Sequence, residues 1–242
     1  MLKSKFLCSF IFVILAFTAC RKDPVIADRD YKTLGTSAHD LLSSSNYTSL
    51  LIQISYMPGF EPHATTLDSL NLFLNTYLNK PGGIKISEQS IAASGKSILT
   101  LNDIVAIEER DRTLFTNGNV IAVHILITDS YYSDNTVFAT SYWNTSMCIF
   151  GQSLNDNSGS IGQITRANLL LTLMEHEFGH LMGLVNQGSP MQTDHRDAAH
   201  GAHCDNPNCL MYFNVETSNS GTNFIPQLDA NCIADLKANG GK

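Results

Sequence analysis

The sequence predicts an α/β fold with a mixed, twisted sheet, and three observations carry that reading. First, 120-VIAVHILITD-129 is an apolar, β-branched run of the kind that fills the centre of a sheet covered on both faces. Second, 66-TLDSLNLFLNTYLNK-80 places its apolar residues at helical spacing. Third, the two patterns alternate along the chain, an order that packs helices against a sheet.

The elements follow in turn. A strand is predicted at 49-SLLIQISYM-57, and the helix over 66–80 is stopped by 81-PGG-83. The segment 84-IKISEQSI-91 alternates like a half-buried strand, and 101–115 reads as a helix with charges on one face. Beyond the central strand, 137-VFATSYW-143 and 147-MCIFGQSL-154 read as two more. A Gly/Ser/Asn loop over 155–163 leads to Thr165, a suitable N-cap for a long helix that ends near Gly183. Residues 185–224 lack periodicity, and 225-IPQLDANCIADLKANG-240 is predicted to close the chain as a helix.

The segment before this domain reads as an address. Lys3 and Lys5 precede an apolar run from Phe6 to Ala19 that is too short to span a bilayer, so residues 1–20 are expected to be a secretory signal. Its end, 16-AFTAC-20, resembles a bacterial lipobox, which makes Cys20 the lipidated first residue of the mature protein. Such an anchor holds a protein at a membrane without spanning it. Residues 21–45, polar and Ser-rich towards their end, are expected to be a flexible tether, and 46–242 a single domain. The expected location is the bacterial cell envelope, periplasmic or surface-exposed. Net charge is −7, and no Lys/Arg cluster occurs, which argues against nucleic acid as a partner.

The chemistry concentrates in 174-MEHEFGHLMGLVN-186. His176 and His180, four residues apart on a helix, project from the same side about 6 Å apart along the axis, so both can face one ion. Imidazoles suit zinc, and a neighbouring carboxylate, Glu177, can take a proton from a metal-activated water. The flanks 169-LLLTLM-174 and 181-LMGL-184 bury this helix, where two histidines and a glutamate are costly without a partner. A zinc ion supplies one.

The run His176-Glu177-x-x-His180-x-x-Gly183 resembles the metzincin metallopeptidases. In that family the glycine turns the chain out of the helix, a third ligand follows three residues later, and a methionine turn lies beneath the metal. Here the three-residue step gives Asn186, a poor zinc ligand. Downstream, 203-HCDNPNCLMY-212 has the spacing H-C-x4-C-x-M and resembles the archaemetzincin branch. The resemblance implies a metzincin-like fold with an active-site helix and a C-terminal helix. It also implies His203 as third ligand, displaced by an insertion over 187–202, and Met211 beneath the metal. Asp194, His195 and His200, in the same insertion, stand as rivals. Phe213 occupies the position where some relatives carry an oxyanion-steadying tyrosine, so Tyr212 receives no catalytic role.

The cysteines depart from the branch. Archaemetzincins pair the same two cysteines with a later C-x-x-C to hold a structural zinc, whereas only Cys232 follows Met211 here. A disulfide between Cys204 and Cys209 is therefore expected, with Cys148 and Cys232 as a further pair, the alternative being a zinc held by all four. The function implied is an exported zinc-dependent endopeptidase acting on peptide or protein substrates, with one catalytic Zn2+ and Glu177 as general base. The competing expectation is a catalytically inactive surface lipoprotein that serves as a binding module; the presence of Glu177 favours the enzyme. Tyr142 and Trp143 are candidates for binding an extended peptide by strand addition.

Overall fold

The computed structural model describes residues 30–214 and 224–242, so the expected signal, Cys20 and the first part of the expected tether lie outside the described residues. The elements are α1 (Ala38–Leu42), β1 (Ser49–Tyr56), α2 (Ala64–Tyr77), β2 (Ile84–Ser90), β3 (Ile98–Leu99), α3 (Leu101–Asp111), β4 (Val120–Thr128), β5 (Tyr131–Tyr132), β6 (Ala139–Trp143), β7 (Ser146–Phe150), α4 (Gly151–Asp156), α5 (Arg166–Leu181) and α6 (Ala230–Ala238). Five strands form one sheet in the order β2-β1-β4-β7-β6. The first four are parallel, and β6 runs antiparallel to β7 at the edge. Strands β3 and β5 form a separate two-stranded pair.

Each strand's burial explains its place. In β4 only Val120 is not fully buried, as a strand paired and covered on both sides requires. Ile52, Ile54, Val123, Ile125, Met147 and Ile149 turn to one face, where Leu70, Leu74, Leu170 and Met174 of α2 and α5 cover them. Leu126, Cys148 and Phe150 turn to the other face, against Ile104 and Ile107 of α3. Helix α3 starts on a reciprocal cap, with the Thr100 hydroxyl accepting from Asp103 N and the Asp103 carboxylate accepting from Thr100 N. No helix of the described residues is long and apolar enough to cross a membrane.

Three boundaries differ from expectation. The tether does not extend to residue 45, because the chain is folded from Asp30 onward. Asp30 is fully buried, accepts from Thr116 N at 2.8 Å and lies 3.5 Å from the buried Arg112 guanidinium. Leu41 and Leu42 of α1 have no exposed surface. Five residues are too few to display a helical period, so the sequence pattern missed them. The strand expected over 147–154 ends at Phe150, and the chain turns at once into α4. Helix α6 begins at Ala230, with Asp229 as its cap accepting from Cys232 N, because Pro226 lies in the segment leading up to it.

The lower half of the α3-facing sheet surface is polar yet buried. Arg112 donates to Glu108 Oε1 at 2.8 Å, Ser146 Oγ reaches the same oxygen at 2.7 Å, and Tyr142 Oη donates to Glu108 Oε2 at 2.5 Å. His124, expected to be a hydrogen-bonded core residue, is fully buried with Nε2 2.9 Å from Ser55 Oγ. This network pins the β6–β7 hairpin, whose edge strand walls the cleft described next.

Candidate active site

Helix α5 runs buried beneath the sheet edge from Leu169 to Leu181, with the Thr165 hydroxyl capping it by accepting from Asn168 N at 3.2 Å. This placement turns His176, Glu177 and His180 into a cleft of about 790 Å³. Thr136 to Ser141, on and before β6, form one wall, and His200, Ala202, His203, Phe213 and Asn214 line the other.

The structure brings His176, His180 and His203 together, with one ligating nitrogen from each lying within 4.8 Å of the others. His176 Nδ1 is 2.7 Å from Leu210 O and His203 Nδ1 is 2.8 Å from His200 O. A carbonyl can only accept, so both Nδ1 atoms carry the hydrogen and both Nε2 atoms present lone pairs in the neutral ring. His176 Nε2 and His180 Nε2 stand 3.1 Å apart. Two nitrogens on a tetrahedral zinc at the usual bond length stand about 3.3 Å apart, so the spacing fits one shared ion. Burial lowers His176 to about 4 and holds His180 well below the ordinary imidazole value, which keeps both in the neutral, ligating form.

Glu177 points into the same cleft. Burial pushes its carboxyl up to about 7, while hydrogen bonds from Ser141 act in the opposite direction. Ser141 Oγ lies 2.8 Å from Glu177 Oε2 and 3.1 Å from Glu177 O. Ser141 escaped sequence reasoning, because a lone serine in a strand carries no motif. Tyr142 and Trp143 do not line the cleft: Tyr142 binds Glu108 on the opposite sheet face, and Trp143 packs edge-on against Tyr31. The strand residues that do line it lie just before them.

The exit from α5 explains Asn186. Gly183 has φ of +74°, and a Cβ there would lie 2.6 Å from Ser189 N. Val185 and Asn186 follow in the left-handed region at φ of 55° and 61°, unusual for a valine. The turn closes with Gln187 N and Ser189 N both donating to Gly183 O. Asn186 is left exposed and does not line the cleft. Met211 is fully buried against α5, its Sδ 2.2 Å from where a Cβ on Gly179 would stand.

None of the rival ligands joins the three converging imidazoles. Asp194 is exposed; His200 bonds Asp197 at 2.5 Å and stacks on Phe213 at 3.5 Å between ring centroids. His195 is buried against Cys204 and Asp235. The expected bridge between Cys204 and Cys209 is not formed, and the four described cysteines carry free thiols. Cys204 Sγ is turned towards His195 and Asp229, while Cys209 Sγ faces Cys232 Sγ at 3.7 Å. Cys148, on the α3 side of the sheet, joins neither group.

The fold matches solved structures. The archaemetzincin of Methanopyrus kandleri superposes with a TM-score of 0.53 at 14% identity, over 79% of this chain and 96% of that one. A zinc-dependent peptidase of Methanocorpusculum labreanum (strain Z) gives 0.46 at 15% identity, over 76% of this chain and 99% of that one. Metalloproteinase-II of Bacteroides fragilis gives 0.44 at 15% identity, over 81% of this chain and 54% of that one. The likeness is one of fold, carried by the first comparison, and it agrees with the mixed sheet and C-terminal helix expected from sequence. No family model and no curated protein matches the chain.

Proposed function

We propose that this domain is a zinc-dependent endopeptidase with Glu177 as general base. One observation carries the reading: three imidazole nitrogens converge beside a buried carboxylate on the floor of a cleft walled by an edge strand. The archaemetzincin fold adds support. His176, His180 and His203 would hold the ion. When bound, zinc supplies Lewis-acid chemistry, lowering the pKa of a water to about 7 and polarising a carbonyl.

The chain's own groups supply the rest. A carboxyl raised by burial is a better proton acceptor than an ordinary glutamate, so Glu177 can deprotonate an attacking water near neutral pH. It then passes that proton to the leaving amine. Ser141 holds one carboxylate oxygen in place through this exchange. The edge strand β6 has a free side along the cleft, on which an extended peptide can lie. The proposal includes residence in the bacterial cell envelope through a lipid on Cys20, which rests on the sequence of residues 1–20.

Hydrolysis of a mixed peptide library by the wild type and by Glu177→Gln tests the reading, with zinc measured in both. The enzyme reading expects equal zinc and a turnover loss of about 10²–10⁴-fold in the variant. A zinc-loaded wild type that cleaves nothing, with Glu177→Gln indistinguishable from it, favours the inactive binding module.

A further inference from the structure

The chain ahead of β1 crosses one end of the cleft, where Leu34 and Gln187 both line it. Its contacts reach both walls. On the edge-strand side, Lys32 N donates to Asn144 Oδ1 at 2.8 Å, and Asn144 N donates to Lys32 O at 2.9 Å. Asn144 Nδ2 also donates to Ser37 Oγ at 2.7 Å. On the helix side, Gly35 lies against the turn that leaves α5. A Cβ on Gly35 would stand 1.5 Å from Gln187 O, and its φ of +83° is one that glycine adopts freely. Ala38 packs into the same turn, 2.7 Å from where a Cβ on Gly183 would stand.

We propose that residues 32–38 form a fixed end wall, which limits a bound peptide to about three extended residues between the reaction centre and Leu34. The inference rests on the peptidase reading of the cleft and adds a substrate preference to it. Peptides with a short chain on that flank fit, whereas a longer chain must turn out of the cleft over Leu34.

The register of the edge strand sets the length. Ser141, bonded to Glu177, marks the reaction centre along β6. Asn144 lies three residues further on, about 10 Å of extended chain. A peptide lying along β6 meets the wall there, because Lys32 already holds the Asn144 N–H and side-chain oxygen. Antiparallel pairing with β6 is the more stable mode, and it points the N-terminal flank of the peptide towards Asn144. At the opposite end the wall begins at Thr136, which is exposed and bonded within its own loop to Asp134.

The segment is built as a wall rather than a lid. Asp30, at its root, is fully buried 3.5 Å from the Arg112 guanidinium. The Tyr31 ring packs edge-on against Phe115 and Trp143, at 6.3 and 6.2 Å between centroids. Leu41 and Leu42 follow it directly into the core. Moving the wall aside would break these contacts, so it stays in place when a peptide enters.

Two series of peptide hydroxamates test this on the zinc-loaded full chain, with Kd read by calorimetry. A hydroxamate at the C-terminus anchors a peptide that fills the N-terminal flank, and one at the N-terminus fills the other. Each added residue that pairs with β6 should tighten binding about threefold or more. The C-terminal hydroxamates are expected to stop gaining after about three residues, while the N-terminal ones gain through five. Leu34→Ala should move that stop outward by a residue and Leu34→Trp inward by one, with the other series unmoved. Gains through five residues in the C-terminal hydroxamates overturn the proposal, as does a stop that neither Leu34 variant moves. Should those variants fail to fold, Gln187→Trp decides from the facing wall: an inward shift supports the end wall, and none counts against it. The expected stop in a protein that cleaves no peptide upholds the wall and fails the peptidase reading alone. No binding of either series overturns both.

Discussion

Ser141 Oγ stands 2.8 Å from Glu177 Oε2, across the gap between the edge strand and the active-site helix. The register of β6 shifts between Ser141 and Trp143, so Ser141 turns to the cleft while Tyr142 turns to Glu108 on the opposite face. Removing a hydrogen bond to a carboxylate costs about 1.5–3 kcal/mol. Ser141→Ala is therefore expected to lower kcat at least tenfold, at about 1.4 kcal/mol per tenfold, with zinc content unchanged. Ser141→Thr, which keeps the hydroxyl, is expected to stay near wild type. Equal kcat in Ser141→Ala and wild type contradicts the positioning role.

Gly179 gives Met211 its room. A Cβ on residue 179 would meet Met211 Sδ at 2.2 Å and Cε at 3.0 Å, inside a packed core. Gly179→Ala is expected to destabilise the fold by about 1–3 kcal/mol, the usual cost of overpacking. Because Met211 lies on the same turn as Leu210, whose carbonyl orients His176, zinc affinity should fall as well. Urea unfolding and a competitive zinc titration measure the two effects.

The folded start of the domain makes a sharp truncation experiment. A chain beginning at residue 30 retains Asp30 beside Arg112 and both core leucines of α1. One beginning at residue 46 loses them, with each buried leucine worth about 1.5–3 kcal/mol against a typical total of about 5–15. Cooperative thermal unfolding is expected from the first and not from the second.

Lys80 ties that segment to the sheet. Its Nζ donates to the carbonyls of Asp40 at 2.6 Å and Tyr47 at 2.7 Å, and to that of Ser43. Lys80→Met is expected to destabilise by about 1–3 kcal/mol by leaving those carbonyls without their donor. Burial lowers the ammonium to about 8. Between that value and the ordinary one near 10.5, the unfolded chain holds more protons than the folded one, so the wild type gains stability as pH rises. The gap between wild type and Lys80→Met should therefore widen from about pH 8 to about pH 10 in urea unfolding. A gap that narrows over this range contradicts the account.

Much of this architecture was legible in the sequence where a period had room to show itself. The β4 run and the long α2 and α5 helices are clear because their burial repeats over nine to sixteen residues. Helix α1, two-residue strands β3 and β5, and the early end of β7 are too short for that. His176 and His180 were readable because a helix fixes their spacing, whereas His203 came from a resemblance, since no local rule links residues across an irregular loop. Ser141 and the pairing of His195 with Asp235 arise from tertiary packing alone. The thiols were visible as residues, but which faced which depended on where α6 docked.

The central claim is that one ion is held by His176, His180 and His203. Zinc per chain, measured on the purified wild type and on His203→Ala of equal fold, tests it most directly. The predicted result is one zinc fewer in the variant, together with loss of peptide hydrolysis. Equal zinc in the two proteins would contradict the claim.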